Sequence, residues 1–351
     1  MIHQLSTGAV THGVHSKVLA LTYGPNVTMD YSGYRIHLVQ TNFELASTKF
    51  SFAAFKIFRQ LAQDADIVHY HYPWPFMDVV HFCTCCNKPT LVTYHSDIVR
   101  QKRLLYLYRP LQRLFLHAVD HIVVTSANYL ATSTELTPYH DKISVIPIGL
   151  DKNTYPLADT ERKITWQKRL GKGFFLFVGV IRYYKGLFTL VEAAQGTDYP
   201  IVIVGAGPIK SMLEAYTIKL GVTNIHFLNA LPDQDKVALL ELCTAVVFPS
   251  HLRSEAFGIS LLEGAMYGKP MISSEIGTGT SYINIDGETG LVVPPGDSEA
   301  LRRAMDFLWK NSPIAKSMGQ RAARRYWNLF TAQSMVSKYV ELYQHLSKKK
   351  L

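Results

Sequence analysis

Short apolar runs, rich in β-branched and aromatic residues, recur along the whole chain at intervals long enough for a helix between them. In the first half they occupy residues 17–23, 66–71, 90–95, 121–126 and 142–148, and in the second half residues 174–181, 201–205, 225–228, 245–250, 270–274 and 290–293. The runs are nearly continuous rather than alternating, which is typical of parallel strands buried on both faces. Strand and helix in alternation predict an α/β protein with parallel sheets.

The rhythm is interrupted once, between Ile146 and Pro156. The chain has 351 residues, more than one compact domain usually contains. We therefore predict two Rossmann-like domains that face a cleft, residues 1–155 and 156–330, with a final helix in 331–351 that packs back toward the first domain. Ligands of such domains bind at the carboxyl ends of the strands, so residues that follow strands are the first candidates for a site.

The beginning of the chain departs from this pattern. Residues 2–14 look like the second half of a helix, and the strand from Lys17 follows directly. In a doubly wound sheet, a central strand and a phosphate-facing glycine turn precede such a helix. We therefore expect the domain 1–155 to be truncated at its start, without this first strand, so that the strands from Lys17 and Thr90 either flank an empty central position or collapse together to close it.

The chain is basic, with a formal net charge of +9. Such a balance favours anionic partners, namely phosphate-bearing ligands, nucleic acid or an acidic lipid surface, and does not choose among them. The sequence contains no apolar run of the roughly 18 to 20 residues that a membrane-spanning helix needs, and no secretory apolar segment opens it. It therefore predicts a cytoplasmic protein.

Three of the four cysteines, Cys83, Cys85 and Cys86, are close together, and Cys243 is far from them. Even with the nearby His81, their spacing matches none of the usual zinc-site patterns. We therefore predict reduced structural thiols and no metal site.

A segment of the second half contains two glutamates eight residues apart, Glu255 and Glu263. If Gly258 opens a helix, Glu255 lies before its N-terminus and Glu263 about one and a half turns inside it. The free N–H groups near Phe257, Gly258 and Ile259 would then face an anion, with additional attraction from the helix dipole. Either glutamate alone would be interpreted as a helix-start acid or a solvent-exposed acid.

This pair resembles the Glu-x7-Glu signature of the retaining GT-B glycosyltransferases of family four. The resemblance extends over nearly the whole chain, because residues 177–186 are similar to that family's phosphate clamp and Gly205 to its glycine turn, although a lone Gly-x-Gly is weak evidence. It implies that Glu255 contacts hydroxyls of the donor sugar and that Glu263 contacts the ribose.

The resemblance assigns Arg182 and Lys185 to the leaving diphosphate, whose charge develops in the transition state. Without it, both would be interpreted as surface charges. It also implies three residues at the base-recognition position, Leu231, Asp233 and Lys236. Asp233 and Asp235 form an Asp-x-Asp, the metal motif of the other glycosyltransferase fold, but at a helix start we interpret them as capping residues.

In the first half, His95 ends the run 90–95 and is expected at the edge of the cleft. By itself it would be an ordinary strand-end histidine, whereas the resemblance implies that it contacts the donor sugar beside the reaction centre. His69 and His71 end the preceding strand, and the sequence leaves open whether they line the acceptor side or serve only the fold.

Residues 101–117 combine basic and apolar side chains at helical spacing. The basic ones are Lys102, Arg103, Arg109 and Arg113, and the apolar ones are Leu104, Leu105, Tyr108, Leu111 and Phe115. A helix of this kind either rests on an anionic membrane or packs its apolar stripe against the sheet, and the sequence leaves both alternatives open.

The resemblance is strongest to mannosyltransferases of bacterial O-antigen and polymannan assembly, in lipopolysaccharide synthesis. It implies GDP-mannose as donor and a lipid-linked saccharide as acceptor, with no cofactor, no metal requirement and no nucleic acid partner. It also implies a retaining front-face reaction without a protein nucleophile, in which the leaving phosphate takes the proton of the acceptor hydroxyl. The enzyme would work in the cytoplasm, in peripheral contact with the inner membrane.

Two alternatives stay open. A sugar-nucleotide epimerase of the same GT-B fold would bind the same donor and need no acceptor. An inactive saccharide- or nucleotide-binding module would bind the donor without turnover.

Overall fold

The computed structural model describes residues 1–84, 86–98 and 102–348, which leaves Cys85 outside. The chain divides into two compact units, both of the predicted α/β class. The N-terminal unit contains residues Met1–Gly149 and the C-terminal segment from Ala332, and the C-terminal unit contains Leu150–Thr331. The division along the chain thus falls between Gly149 and Leu150 rather than at residue 155.

The N-terminal unit alternates strands and helices after a more irregular start. Its elements in the described residues are α1 Ile2–Val10, β1 Lys17–Thr22, β2 Val27–Tyr31, β3 Tyr34–Gln40, β4 Phe43–Leu45, β5 Thr48–Phe50, α2 Phe52–Gln63, β6 Val68–Tyr72, α3 Pro75–Thr84, β7 Thr90–Tyr94, α4 Lys102–Ala118, β8 His121–Val124, α5 Ala127–Thr132, β9 Ile143–Val145 and, from the C-terminal segment, α14 Ala332–Lys348.

Strands β6 to β9 form one parallel sheet in chain order. All five residues of β7 are buried. Because successive side chains of a strand point to opposite faces, β7 is covered on both faces of the sheet, which explains why its sequence contains no charged residue and is mostly apolar or β-branched. The four strands are the predicted runs 66–71, 90–95, 121–126 and 142–148.

Strands β2 to β5 were not predicted from the sequence. Strand β3 pairs in parallel with β1 and antiparallel with β2, and β4 and β5 form a separate hairpin. Every side chain of β2 and β4 is exposed, so neither strand has an apolar pattern. The β2–β3 turn places Ser32 and Gly33 at φ of 47° and 88°, and the β4–β5 turn places Ala46 and Ser47 at 52° and 65°. Only the Ser-Gly dipeptide is a recognisable hairpin signal.

The strand that begins at Thr90 does not border an open position. Strand β7 is bonded to β6 on one side and to β8 on the other, so the expectation that the strands from Lys17 and Thr90 either flank an empty position or close it together is wrong in this detail. Because the spatial order of this sheet is the chain order, its first edge strand is β6 and not the strand of Thr90. Among the described residues, β1 is bonded only to β3, and β6 only to β7.

Asp78 is a buried carboxyl group that joins α3 to α4. Its side chain is 1% exposed and accepts a hydrogen bond from the hydroxyl of Tyr108. Burial raises the pKa of Asp78 to about 8, although the bond from Tyr108 acts in the opposite direction. Asp78 is therefore largely protonated at neutral pH.

Replacing Asp78 by asparagine should remove one source of pH dependence from the stability of the protein. Since the pKa of Asp78 is higher in the folded chain, the stability contributed by its proton is fully present below about pH 4 and is lost as the pH rises through about 8. As the pH rises through this window, the native protein therefore loses unfolding free energy relative to Asp78→Asn, by up to about 1.4 kcal/mol per pH unit. Urea unfolding at pH 5, 7 and 9 measures it.

The exposed Asp66 provides the matched control. Asp66→Asn should follow the native protein at every pH. If both variants run parallel to the native curve, Asp78 does not hold its proton in the folded state.

The C-terminal unit is a regular succession of strands and helices. Its elements are α6 Thr160–Leu170, β10 Phe175–Val178, α7 Leu187–Ala193, β11 Ile201–Val204, α8 Lys210–Lys219, β12 Ile225–Leu228, α9 Asp233–Leu242, β13 Ala245–Phe248, α10 Ile259–Met266, β14 Met271–Ser274, α11 Gly279–Ile283, β15 Gly290–Val293, α12 Ser298–Lys310 and α13 Ser312–Leu329.

The six strands of this unit form a single parallel sheet in the order β12-β11-β10-β13-β14-β15. All residues of β11, β13 and β14 are buried, which again requires cover on both faces. The order places β10 beside β13, and the chain leaves these two strands toward opposite halves of the sheet. Such a topological switch point is where doubly wound sheets bind their ligands.

Candidate active site

The loops that follow β10 and β13 lie against each other at the switch point. Gly186 has a φ of +67°, and a Cβ atom there would lie 1.8 Å from the carbonyl oxygen of Pro249, so this approach requires glycine. The N–H of His251 donates to the carbonyl oxygen of Tyr184 at 3.0 Å. These two contacts hold the region of Lys185 beside the loop that contains Glu255.

Lys185 and Glu255 form a buried ion pair between these loops. The ammonium group of Lys185 donates to Oε2 of Glu255, and the hydroxyl of Ser250 donates to the same oxygen at 3.3 Å. The two charged side chains are only 11% and 12% exposed. Nζ of Lys185 also lies 4.6 Å from the ring centroid of Phe248. Lys185 is therefore not the surface charge that its position after a strand would ordinarily suggest.

Desolvating two charges costs free energy, and removing either partner leaves the other uncompensated. Protein sites that bind or transform ligands often contain such pairs, because folding has already desolvated and oriented the charges before the ligand binds. A cation and a carboxylate at a switch point are suited to hold a ligand that has both an anionic and a hydroxyl-bearing part.

Arg182 is placed differently from Lys185. It is exposed, and within the described part of the chain its guanidinium group has no hydrogen bond or ion pair. Its backbone carbonyl accepts the N–H of Lys185 at 3.0 Å, so both residues belong to one tight turn after β10. The clamp role of Arg182 stays a prediction.

Helix α10 begins where the sequence predicted. Gly258 precedes it with φ of 96° and ψ of 66°, and the helix runs from Ile259 to Met266. Glu255 therefore lies before the N-terminus and Glu263 inside the helix. The hydroxyl of Ser260 donates to the carbonyl oxygen of Val178 at 2.7 Å, which fixes the helix N-terminus at the carboxyl end of β10. The first N–H groups of a helix have no partner within it and are available to an anion.

Glu263 is the centre of a second buried cluster. It is 5% exposed and accepts hydrogen bonds from the Tyr155 hydroxyl at 2.9 Å and from Nζ of Lys236 at 3.0 Å. Nζ of Lys236 also lies 3.0 Å from Asp233. Burial lowers the pKa of Lys236, but the charges of Glu263 and Asp233 outweigh this effect and leave the pKa above its ordinary value.

This cluster unites three residues that the sequence assigned to the ribose and the base, namely Glu263, Asp233 and Lys236. It also includes Tyr155, which sequence analysis missed. Tyr155 lies beside Pro156 at the predicted linker and belongs to no motif, so no signal pointed to it.

The capping interpretation of the Asp-x-Asp is wrong. The residue that precedes α9 is Pro232, without a side-chain cap, and both aspartates lie in the first turn. Asp235 instead accepts hydrogen bonds from the indole N–H of Trp166 at 2.8 Å and from Arg162 at 2.7 Å, which ties α9 to α6. Because the carboxylate of Asp235 accepts both of these hydrogen bonds from α6, it does not cap the N–H groups of its own helix.

Gly205 and Leu231 have structural neighbours that explain part of their pattern. A Cβ atom on Gly205 would lie 2.0 Å from the carbonyl oxygen of Gly179, so the ends of β10 and β11 can adjoin only with glycine there. Leu231 packs against the apolar core of the C-terminal unit. Their contact with a donor stays a prediction.

The described cysteines are Cys83, Cys86 and Cys243, and all three are free thiols. Burial raises the pKa of the Cys243 thiol to about 11, which keeps it protonated and unreactive at neutral pH. In the described ranges, no group of three or more His, Cys, Asp or Glu side chains is arranged to hold a metal ion.

In the N-terminal unit, His95 follows β7 at the carboxyl edge of its sheet and contacts His71, with 3.0 Å between Nε2 of His95 and Nδ1 of His71. Burial lowers the pKa of His95 to about 4, so the ring is neutral at neutral pH. Both ring nitrogens of His69 are engaged, by Tyr343 and Thr93, each at 2.7 Å. Of the two histidines that the sequence left open, His71 is thus the one in direct contact with His95, and a role on the acceptor side stays a prediction for both.

Two family models match the chain. Residues 159–325 match the one described as glycosyl transferases group 1, and residues 1–154 match glycosyltransferase family 4. A D-rhamnosyltransferase, WbpZ of Pseudomonas aeruginosa, is 58% identical over 95% of this chain and 87% of its own length. The O-antigen chain mannosyltransferase C of Escherichia coli is 47% identical over 100% of this chain and 94% of its own length.

Solved structures share the fold at much lower identity. Sucrose-phosphate synthase from Thermosynechococcus elongatus matches with a TM-score of 0.81 at 20% identity, over 99% of this chain and 93% of that protein. HepE of Anabaena in complex with UDP matches with a TM-score of 0.71 at 17% identity, over 88% of this chain and 86% of that protein. The likeness extends over both units of the chain.

Proposed function

Because this chain belongs to the group 1 glycosyl transferases, which are GT-B glycosyltransferases of family 4, we propose that it transfers mannose from GDP-mannose to a lipid-linked saccharide in bacterial O-antigen synthesis. The observation that supports this proposal best is the buried pair of Lys185 and Glu255 at the switch point between β10 and β13. It provides one cation and one carboxylate where a sugar diphosphate would present its phosphate beside its hydroxyl groups.

In the proposed reaction, the bond between C1 of the sugar and the diphosphate oxygen breaks, and the acceptor oxygen bonds to C1 on the same face. Lys185, Arg182 and the first N–H groups of α10 stabilise the charge that develops on the departing diphosphate. Glu255 accepts hydrogen bonds from sugar hydroxyls and orients C1. The acceptor hydroxyl proton passes to an oxygen of the leaving phosphate. Because the new bond forms on the face that the diphosphate leaves, configuration is retained without a protein nucleophile, cofactor or metal ion.

The cluster around Glu263 suits the nucleoside end of the same donor. Glu263 retains acceptor capacity for ribose hydroxyls beyond its bonds from Tyr155 and Lys236. Asp233, whose side chain is 67% exposed, is the more accessible acid for the guanine N–H groups. The two buried clusters would thus bind the two ends of one sugar nucleotide.

A second donor deserves a direct test, because the relative with 58% identity is named a D-rhamnosyltransferase. D-rhamnose is D-mannose without the 6-hydroxyl group, so both sugars present the same hydroxyls at C2, C3 and C4. The GDP-linked 6-deoxy sugar is therefore the second candidate. A site that hydrogen-bonds the 6-hydroxyl group would reject it strongly, whereas a site without such a bond would accept both.

The deciding experiment offers GDP-mannose, GDP-6-deoxy-D-mannose, UDP-glucose and ADP-glucose to the full chain, with and without a lipid-linked saccharide. We expect GDP release that requires the acceptor, together with a longer saccharide of retained configuration. Conversion of the donor without an acceptor would identify an epimerase instead. Donor binding without turnover in the presence of any acceptor would identify an inactive binding module.

The acceptor's lipid would place the enzyme at the cytoplasmic membrane face, and α4 has features suited to that location. One set of its apolar side chains is half-buried or buried, namely Leu105, Tyr108, Leu111 and Phe115. Another set is 45% to 78% exposed, namely Leu104, Tyr106, Leu107 and Leu114. The predicted stripe thus packs inward except for Leu104, and a second apolar set faces out.

The outward set is accompanied by positive charge. Arg109 and Arg113 are exposed on the same helix, and the sequence of α4 contains no acidic residue. Arg109 is paired with Glu135 at 2.6 Å, which leaves Arg113 as the one of these two arginines without a salt bridge to another described residue. The side chains of Lys102 and Arg103 lie outside the described residues. None of the described helices is both long and apolar enough to cross a membrane. We therefore propose that α4 lies on the surface of an anionic bilayer, with exposed leucines in the headgroup region and Arg113 at phosphates.

Replacing Leu104 and Leu107 together by serine should reduce the binding of the protein to vesicles of phosphatidylglycerol and phosphatidylethanolamine by at least about tenfold. Each exposed leucine contributes up to roughly 2 kcal/mol when its apolar surface leaves water. Co-sedimentation with vesicles measures the effect. Leu157→Ser, which changes a 91% exposed leucine of the C-terminal unit, is the matched control. Equal binding of both variants, or no binding of the native protein, would contradict a role of α4.

A further inference from the structure

Four aromatic rings form a continuous stack within the N-terminal unit, from α14 to the end of β7. The ring of Tyr339 lies 5.4 Å from that of His69, His69 lies 4.5 Å from His71, and His71 lies 5.3 Å from His95. The angles between successive planes are 29°, 27° and 14°. The stack therefore ends at His95, the histidine for which the resemblance to family four implies a contact with the donor sugar.

The end of the stack nearest α14 is fixed by hydrogen bonds. His69 contacts the hydroxyls of Tyr343 and Thr93, and the Thr93 hydroxyl lies 2.8 Å from that of Tyr339. All of these groups are buried or half-buried. The ring of His69 has no freedom to turn without breaking two bonds, so it provides a fixed surface for His71.

The contact between His71 and His95 couples the proton positions of the two rings. Burial lowers the pKa of both, that of His95 to about 4, so each is neutral at neutral pH. A neutral imidazole has one N–H and one bare nitrogen. A 3.0 Å contact between Nδ1 of His71 and Nε2 of His95 therefore needs the proton on one side only. The tautomer of His71 then decides whether Nδ1 of His95 is a donor or an acceptor.

We propose that His71 is a positioning residue, which orients the ring of His95 and fixes the nitrogen that carries its proton. This inference rests on the proposed function and on the contact between His95 and the donor sugar that the resemblance to family four implies. His95 then offers the sugar one defined hydrogen bond in one orientation. A purely structural His71 would contribute only its ring to the stack, and a phenyl ring would replace it.

The first test separates the ring from its hydrogen bond. His71→Phe keeps an aromatic ring and should lower kcat about tenfold, the upper range for one neutral hydrogen bond, with little change in KM for the donor. His71→Asn, whose amide can reach His95 with an N–H or a carbonyl oxygen, should recover part of this loss. In a His95→Ala background, His71→Phe should have no further effect on kcat.

His121 provides a matched control in the same sheet. It begins β8, and its Nε2 lies 2.9 Å from the hydroxyl of Ser144. His121→Phe removes a comparable bond away from His95 and should leave kcat unchanged. An equal loss of kcat in His121→Phe, or full activity of His71→Phe together with an unchanged side-chain NMR spectrum of His95, would overturn the inference.

A second measurement does not depend on turnover. Nitrogen-15 NMR of the histidine side chains, with His95 assigned from His95→Ala, reports which ring nitrogen is protonated. The ring of His95 should show a single tautomer in the native protein and a mixture in His71→Phe. An unchanged His95 spectrum would refute positioning by His71. A changed spectrum with unchanged kcat would uphold the positioning and instead refute the proposed contact of His95 with the sugar.

Discussion

Replacing Glu255 by alanine is expected to lower kcat/KM for sugar transfer by about ten- to 150-fold, while the affinity for free GDP stays within about threefold. The loss corresponds to one charge-assisted hydrogen bond to a sugar hydroxyl, about 1.5 to 3 kcal/mol. Free GDP lacks the sugar, so its affinity should not depend on hydrogen bonds between Glu255 and sugar hydroxyls. Steady-state kinetics with GDP-mannose and calorimetric titration with GDP measure the two quantities on the same preparation.

A complication is that Glu255 also neutralises Lys185, so its removal leaves a buried ammonium group without a partner. Glu255→Gln keeps the shape and an acceptor for the lysine, and it should retain the melting temperature better than alanine while still losing activity. Glu299→Ala, which changes an 85% exposed glutamate of α12, serves as control. Unchanged turnover of Glu255→Ala would remove Glu255 from the proposed mechanism.

Prediction of the fold succeeded where burial dictates the sequence. Strands β7, β11, β13 and β14 are buried along their whole length, and strands covered on both faces favour nearly continuous apolar runs. These runs were therefore visible without any structure. The start of α10 was predictable for a different reason, because glycine readily adopts the positive φ that Gly258 has before the helix.

Prediction failed where exposed backbone determines the structure. Strands β2 and β4 show no buried side chain, and their pairing depends on backbone hydrogen bonds and on turns with positive φ. Ala46 and Ser47 adopt such angles without being glycine or asparagine. Spatial strand order was also only partly accessible, which is why the edge position was assigned to the strand of Thr90 rather than to β6.

In the candidate site, sequence identified the residues but not their partners. Glu255 and Lys185 are 70 positions apart, and their direct contact follows from the adjacency of β10 and β13, which no local pattern encodes. The partners of Glu263 and Asp235 show the same limitation. Tyr155 and Arg162 belong to no motif and reach these carboxylates only through the packing of the folded unit.

Replacing Lys185 by alanine should have the largest effect of any single change, with kcat/KM lowered by about 10²- to 10³-fold, the usual loss for one group that stabilises transition-state charge. Unlike Glu255→Ala, this variant should also weaken GDP binding by about ten- to 150-fold, because the ammonium group contacts the diphosphate itself. Kinetics and GDP titration again provide both values. Lys172→Ala changes an exposed lysine before β10, at the opposite edge of the sheet, and should alter neither.

The double variant Lys185→Ala/Glu255→Ala distinguishes a ligand-binding lysine from one that only neutralises its neighbour. Removing both charges eliminates the uncompensated partner, so the double variant should recover much of the melting temperature that either single variant loses. If Lys185 served only Glu255, GDP affinity would recover as well. If Lys185 binds the diphosphate, the double variant should melt like the native protein and still bind GDP as weakly as Lys185→Ala, because no other change restores the missing cation.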